Sequence, residues 1–433
     1  MAATTMPSST APQAATGAPE RVPLLRRQVT GPAVAAALAV VAVAVDQRVY
    51  DEITLGTLVG LALAPVWLPA LRRYHGLRTL VVLGVGAIGL GLLLTELAGL
   101  DHGTSLRNAA NQSIVVLNLV LGVSLVAWAR TQLSDPVVAT VFGVGMVLGI
   151  RPSGRFAENP WRFGFSLPLV VLLLGLAWLA GRAWLQVVVA LGLALVSAAN
   201  GGRSTSAMLV LAAVVTMWQA GQAARSARPA SRMRSIAVIA ALLGSFYYLG
   251  QAAILDGFLG EAAQSRTQEQ IALSGSLIQG ARPEMGATGA LIGHRPWGFG
   301  SGTLANTRDV MVAKSGMSSL GYDPDNGYVE RYMLGSGIEL HSTGADLWVA
   351  FGVLGVALAA WILWTVLRGY TTHFAAHTAA ALLTYLAIRN LWDLLFSPLG
   401  SSITLLTLGV GLLALRRPEP RPPTEPFAAP VSG

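Results

Sequence analysis

One kind of segment recurs along this chain and constrains it more than any other feature. Apolar runs of about 15 to 25 residues follow one another with short connections between them. They fall at 31–45, 53–71, 79–99, 113–129, 136–150, 164–180, 183–199, 205–220, 235–254, 344–367, 374–388 and 397–415. A helix of about 20 apolar residues matches the hydrocarbon thickness of a bilayer. Backbone polar groups left unbonded in lipid are costly, so such runs fold as helices. The expectation is an all-α polytopic membrane protein of about 12 transmembrane helices. Only 12% of the residues are charged, against about 25% in an ordinary soluble domain.

The remaining segments organise the chain. Residues 1–30 are rich in Ala, Ser, Thr, Pro and Gly and close with Arg21, Arg26 and Arg27, which reads as a disordered cytoplasmic tail. Residues 31–254 carry helices one to nine, 255–343 a large extracytoplasmic loop, 344–415 helices ten to twelve, and 416–433 a Pro-rich cytoplasmic tail. Ala42 and Ala44 have the A-x-A spacing of a signal-peptidase site. An even number of spans requires that first run to be kept as a helix.

Loop charges set the orientation. With both termini in the cytoplasm, the inner segments hold sixteen arginines. The short outer loops hold seven: Arg48, Arg107, Arg151, Arg155, Arg162, Arg203 and Arg389. Cations are retained on the inner side, so the long stretch from Asp256 to Ser342 faces outward from the cytoplasmic membrane.

The net charge of +8 is accounted for by topology, and nucleic acid is not an expected partner. Cysteine is absent, which removes disulfides, thiolate metal sites and cysteine nucleophiles. No H-x-x-x-H pattern stands in an outer loop, and Asp323, Asp325 and Asn326 make only a fragment of a Ca²⁺ loop. Neither a metal nor a cofactor is expected. Glu96, Asp346 and Asp393 fall near predicted helix ends and form no proton-relay array.

Topology does not ask for arginines in the outer segments "RPSGRFAENPWRF" and "NGGRSTSA", so Arg151, Arg155, Arg162 and Arg203 point to an anionic ligand. The two glycines before Arg203 permit a tight turn, and the next helix would present free N–H groups and its positive dipole end. In "ARPEMGATGALIGHRPWGFGSGT" the cations are Arg282 and Arg295, and the Gly/Pro-rich turn lets backbone approach a ligand closely. His341 stands just before the tenth run, where an imidazole, with an unperturbed pKa of about 6.5, can act as general base.

These segments together resemble the O-antigen ligase and polysaccharide polymerase superfamily of membrane glycosyltransferases. "RPSGRFAENPWRFG" resembles the family's Arg-x-x-Gly-x-Phe segment, and "NGGRSTSAML" its Ser/Gly-Ser-Arg-Ser/Thr turn. The stretch from Arg282 to Gly302 resembles its arginine followed by Pro-x-x-Gly-x-Gly, and "LHSTGADLWVAFGVLG" its His-Asn/Ser segment leading into a helix. Trp161 stands where Asn usually follows Pro, and Gly286 where an aromatic is common. The match spans about residues 150 to 355. The resemblance implies a GT-C-like fold and transfer of a glycan from a polyprenyl pyrophosphate carrier to a glycan or lipid-glycan acceptor. It implies Arg203 and Arg282 on the pyrophosphate and His341 at the acceptor hydroxyl, with Arg151, Arg155 and Arg295 as further cationic contacts. A transporter or flippase of a lipid-linked anionic glycan would use the same arginines for binding alone.

Overall fold

The computed structural model describes residues 30–152, 154–225, 231, 233–241, 244, 265, 268 and 282–418. Nearly all of both expected tails, most of the expected ninth span and the first part of the long outer segment lie outside these residues.

Helix α1 (Gly31–Ala44) leads through a small hairpin, β1 (Arg48–Tyr50) and β2 (Ile53–Thr54), into α2 (Leu55–Ala62) and α3 (Ala64–Ala70). Then come α4 (Leu77–Ala98), α5 (Leu106–Gln132), α6 (Asp135–Leu148), α7 (Ser166–Leu179), α8 (Ala183–Ala199) and α9 (Arg203–Arg225). Two helices in the polar segment, α10 (Glu284–His294) and α11 (Thr307–Ser318), precede α12 (Thr343–Ala375), α13 (Ala381–Phe396) and α14 (Leu399–Leu413).

Among the described residues, five helices are long and apolar enough to cross a membrane, at 77–98, 106–132, 161–179, 203–223 and 343–375. The α2–α3 pair passes the same test as one broken span bent by 74°. Thr54 and Thr57 close a capping box at the start of α2, and Pro65, which has no N–H to donate, opens α3 after the break. Helices α1, α6, α8 and α14 are apolar but only 14 to 17 residues long. The architecture is that of an all-α membrane protein.

At one end of the bundle, His75 N–H donates to Leu415 O at 2.9 Å and Arg417 N–H to Arg73 O at 2.7 Å. There the buried Arg130 donates to the carbonyls of Gly411 (2.7 Å) and Ala414 (2.8 Å), the orphan acceptors at the end of α14. At the opposite end, Ser105 N–H meets Gly302 O at 2.8 Å, and Arg107 pairs with Asp51. The long polar segment returns to that second end.

One expected span is displaced. The run placed at 374–388 is split: α12 continues to Ala375, and α13 begins at Ala381 and reaches Phe396. Arg389 is therefore not in a short outer loop but inside a helix, with Nε 2.9 Å from Asp393 Oδ2. Hydropathy ends the run at the arginine. An opposite charge four residues on lies on the same helical face and lets the helix continue.

Helix α12 is broken at Gly352, whose φ of 56° and ψ of −140° leave the helical region. The carbonyl of Val349 then accepts from Phe299 N–H at 2.8 Å and Gly300 N–H at 3.0 Å. The turn from Pro296 to Gly302 wedges between α4 and α12. Ser301 N–H donates to Gly91 O at 3.3 Å, and Gly302 N–H to Thr95 Oγ1 at 2.9 Å. Gly300 has φ +109°, and a Cβ there would run into the α4 backbone at Thr95. The glycines that promised close approach to a ligand serve close approach to the protein's own helices.

Asp346, in the first turn of α12, is 6% exposed and fastens three elements. Its Oδ1 accepts from Leu340 N–H at 2.7 Å and its Oδ2 from Leu399 N–H at 2.9 Å. Ser342 Oγ donates to Leu394 O at 2.9 Å, and Thr343 Oγ1 to Ser397 O at 3.0 Å. Asp346→Asn sets an amide N–H₂ against one of these backbone donors. It should cost about 2 kcal/mol and lower the unfolding midpoint of the detergent-solubilised protein by several degrees. An unchanged midpoint would contradict the clamp.

Candidate active site

The clamp holds His341 between two fastened residues. His341 adopts φ +57°, the left-handed region, which costs a side-chain-bearing residue about 1–2 kcal/mol. Strain of that kind persists where the surroundings over-determine it, and Leu340, Ser342 and Thr343 do so here. The imidazole Nδ1 is buried and has no hydrogen-bond partner among the described residues. The ring lies 5.9 Å, centroid to centroid, from that of Tyr328.

Tyr328 links His341 to the start of α10. Its hydroxyl donates to Glu284 Oε1 at 2.9 Å. Burial and, after it, the Glu284 carboxylate push the Tyr328 phenol well up from its ordinary value, so it stays neutral. Arg282 is close enough to oppose that shift. The Arg282 guanidinium carbon sits 5.5 Å from the ring centre of Trp392 and 5.8 Å from that of Phe396, both on α13. Stacking on two aromatic faces orients a guanidinium while leaving its N–H groups free.

Arg282, Glu284, Tyr328 and His341 thus converge on the C-terminal end of α13. Gly286 lies where α10 crosses α11: a Cβ there would strike the carbonyl of Gly316.

Arg203 begins α9 and is exposed. Its height follows from the packing of α9 beside α13. Gln219 Oε1 accepts from Ala379 N–H at 3.2 Å at the far end of the pair. Going back along α9 to Arg203, and forward the same number of residues at about 1.5 Å each, ends near Leu395. That is level with Phe396, on which Arg282 stacks. Among the described residues, no hydrogen bond or ion pair joins Arg203 to Arg282 or His341.

The segment with the first outer arginines docks on the turn before Arg203. Asn159 Nδ2 donates to Asn200 O at 3.0 Å, and Trp161 Nε1 to Ser197 Oγ at 3.2 Å. The two arginines themselves have protein partners. Arg151 Nη2 donates to Asp46 O at 2.8 Å and Gln47 Oε1 at 3.1 Å. Arg155 pairs with Glu158 at 3.1 Å and lies over Phe163.

Arg295 belongs to a different polar group. Its Nη1 is 3.0 Å from Asp101 Oδ2 and 3.2 Å from His102 Nδ1. The His102 side chain, 2% exposed, has Nδ1 2.7 Å from Asp101 Oδ1 and Nε2 2.9 Å from Asp309 Oδ2. Asp309 is fully buried, and His294 Nε2 stands 3.6 Å from its Oδ1. This network ties α10 and α11 to the end of α4. Nothing in the sequence around His102 singles it out, because its partners Asp309 and Arg295 lie about 200 residues away.

Sequence reasoning also missed a stripe on α13. Arg389, Trp392, Asp393 and Phe396 follow the spacing i, i+3, i+4, i+7 and share one face. "RNLWDLLF" carries that signal, but the misplaced span boundary hid it. Tyr385, Asn390 and Asp393 are buried. The hydroxyl of Tyr385, both amide atoms of Asn390 and Oδ1 of Asp393 have no hydrogen-bond partner among the described residues.

Among the described residues, no three His, Cys, Asp or Glu side chains are grouped to hold a metal ion. Comparison of the chain with family models, curated proteins and solved structures finds no match. The geometry and the motifs therefore carry the functional argument.

Hydrogen bonding to His102, foremost, and then the Arg295 partner hold the Asp101 carboxyl below its ordinary value of 3.8. A lowered carboxylate contributes stability in full above about pH 4 and loses it as pH falls through the lowered value. Asp101→Asn should lower the unfolding midpoint at pH 7, with the gap to wild type narrowing below about pH 4. A gap constant across that range would contradict the linkage.

Proposed function

We propose that this protein is a membrane glycosyltransferase that moves a glycan from a polyprenyl pyrophosphate carrier to an acceptor hydroxyl. In this reading about twelve spans place the long polar segment, and the end of α13, on the extracytoplasmic face of the cytoplasmic membrane. The observation that carries it is the meeting of Arg282 and His341, far apart in sequence, around Tyr328 and the end of α13.

The chemistry follows from those groups. The acceptor oxygen bonds to the anomeric carbon as the bond from that carbon to the pyrophosphate oxygen breaks. The pyrophosphate leaves on its lipid, and its charge is met by Arg203 and Arg282. The acceptor proton passes to His341. Because Nδ1 is buried, Nε2 is the nitrogen left to receive it. General-base assistance of this kind is worth about 10²–10⁴ in rate.

The test is transfer by purified protein from a polyprenyl-pyrophosphate glycan to a panel of acceptors. His341→Ala should lower turnover at least about 100-fold with an unchanged unfolding midpoint. Arg203→Ala should weaken donor use, and excess chelator should change nothing. Transfer by His341→Ala at the wild-type rate would reject the assignment. Translocation in proteoliposomes without a new glycosidic bond would favour the transporter alternative.

A further inference from the structure

We infer that Arg389, held in place by Asp393, binds the lipid-side phosphate of the carrier. It would form an oxyanion subsite one turn deeper on α13 than the aromatic pair beneath Arg282. This inference rests on the transferase reading above, and it adds a residue that neither the family motifs nor the loop charges assign.

Position is the first argument. Arg389 lies three residues before Trp392 on the same helical face, a rise of about 4.5 Å. Arg282 covers Trp392 and Phe396, so the two arginines occupy the inner and outer parts of one stripe. A carrier whose tail lies in the bilayer presents its lipid-side phosphate deeper and its sugar-side phosphate further out. The spacing of the two cations follows that order.

Hydrogen bonding is the second. Among the described residues, Asp393 Oδ2 accepts only from Arg389 Nε, at 2.9 Å. Neither Nη makes a hydrogen bond to a described residue, and the side chain keeps 16% of its surface exposed. A guanidinium braced at Nε presents its Nη groups as a ready fork for phosphate oxygens.

The third argument is the company Arg389 keeps. The Tyr385 hydroxyl, one turn before it on the same face, is buried and has no hydrogen-bond partner among the described residues. Buried polar atoms in proteins are nearly always paired, and ionisable residues within membrane helices are retained mainly for function. An arginine fork and a hydroxyl together are a donor set for an oxyanion.

The experiment measures binding of farnesyl pyrophosphate and farnesyl monophosphate to the full chain in detergent. The variants are Arg389→Lys, which keeps the charge and the Asp393 pair but removes the fork, and the neutral pair Arg389→Gln/Asp393→Asn. The unfolding midpoint is read alongside. Both variants should bind both lipids at least tenfold more weakly than wild type, with midpoints within a few degrees of it. Wild-type affinity in either folded variant overturns the role of Arg389 while leaving the transferase reading standing. Failure of the wild type to bind either lipid removes both. Displacement by an equal concentration of phosphatidylglycerol would assign the subsite to ordinary phospholipid headgroups and overturn its link to the carrier.

Discussion

Two backbone N–H groups from different parts of the chain converge on one buried carboxylate, and the candidate site depends on that junction. Asp346 ties the approach to α12 to the start of α14, while Ser342 and Thr343 tie the same approach to the end of α13. Each bond would be modest in water, but in a dry, crowded helix junction an unmet N–H is costly. The segment therefore has few alternative conformations, and His341 is kept in a backbone region it would otherwise avoid. Arg282 reaches the same place by stacking on the rings that α13 carries.

The arginines differ in what holds them. Arg130, Arg151, Arg155 and Arg295 are engaged with carbonyls or carboxylates of the chain itself. Arg282 is held by aromatic faces, Arg389 by a single carboxylate through Nε, and Arg203 stands exposed at a helix start. Arg282, Arg389 and Arg203 retain donors for an incoming anion, and so do the Nη groups of Arg155, whose bond to Glu158 is made through Nε. Counting arginines by loop cannot make this distinction, because whether a guanidinium is spent depends on neighbours supplied by the fold.

Much of the helical architecture was legible in the sequence, since apolar runs in lipid have one economical backbone solution. The meeting of Arg282 with His341 was approachable through the order of the motifs. Other features were not. The end of α13 was hidden because an arginine and an aspartate one turn apart look polar in a hydropathy sum yet neutralise each other in space. The Gly-rich turn at Gly300 reads the same whether it faces a ligand or a helix, and only the break at Gly352 shows what it packs against. His102 is an unremarked loop residue until the fold brings Asp309 to it.

The measurement that tests the central claim most directly is a structure of the protein in a lipid nanodisc with a polyprenyl pyrophosphate bound. The account predicts the pyrophosphate at the end of α13, touching Arg203 and Arg282, with His341 Nε2 facing the carbon that would carry the glycan. Pyrophosphate bound instead at the opposite end of the bundle, beside Arg130 and Arg416, would contradict it.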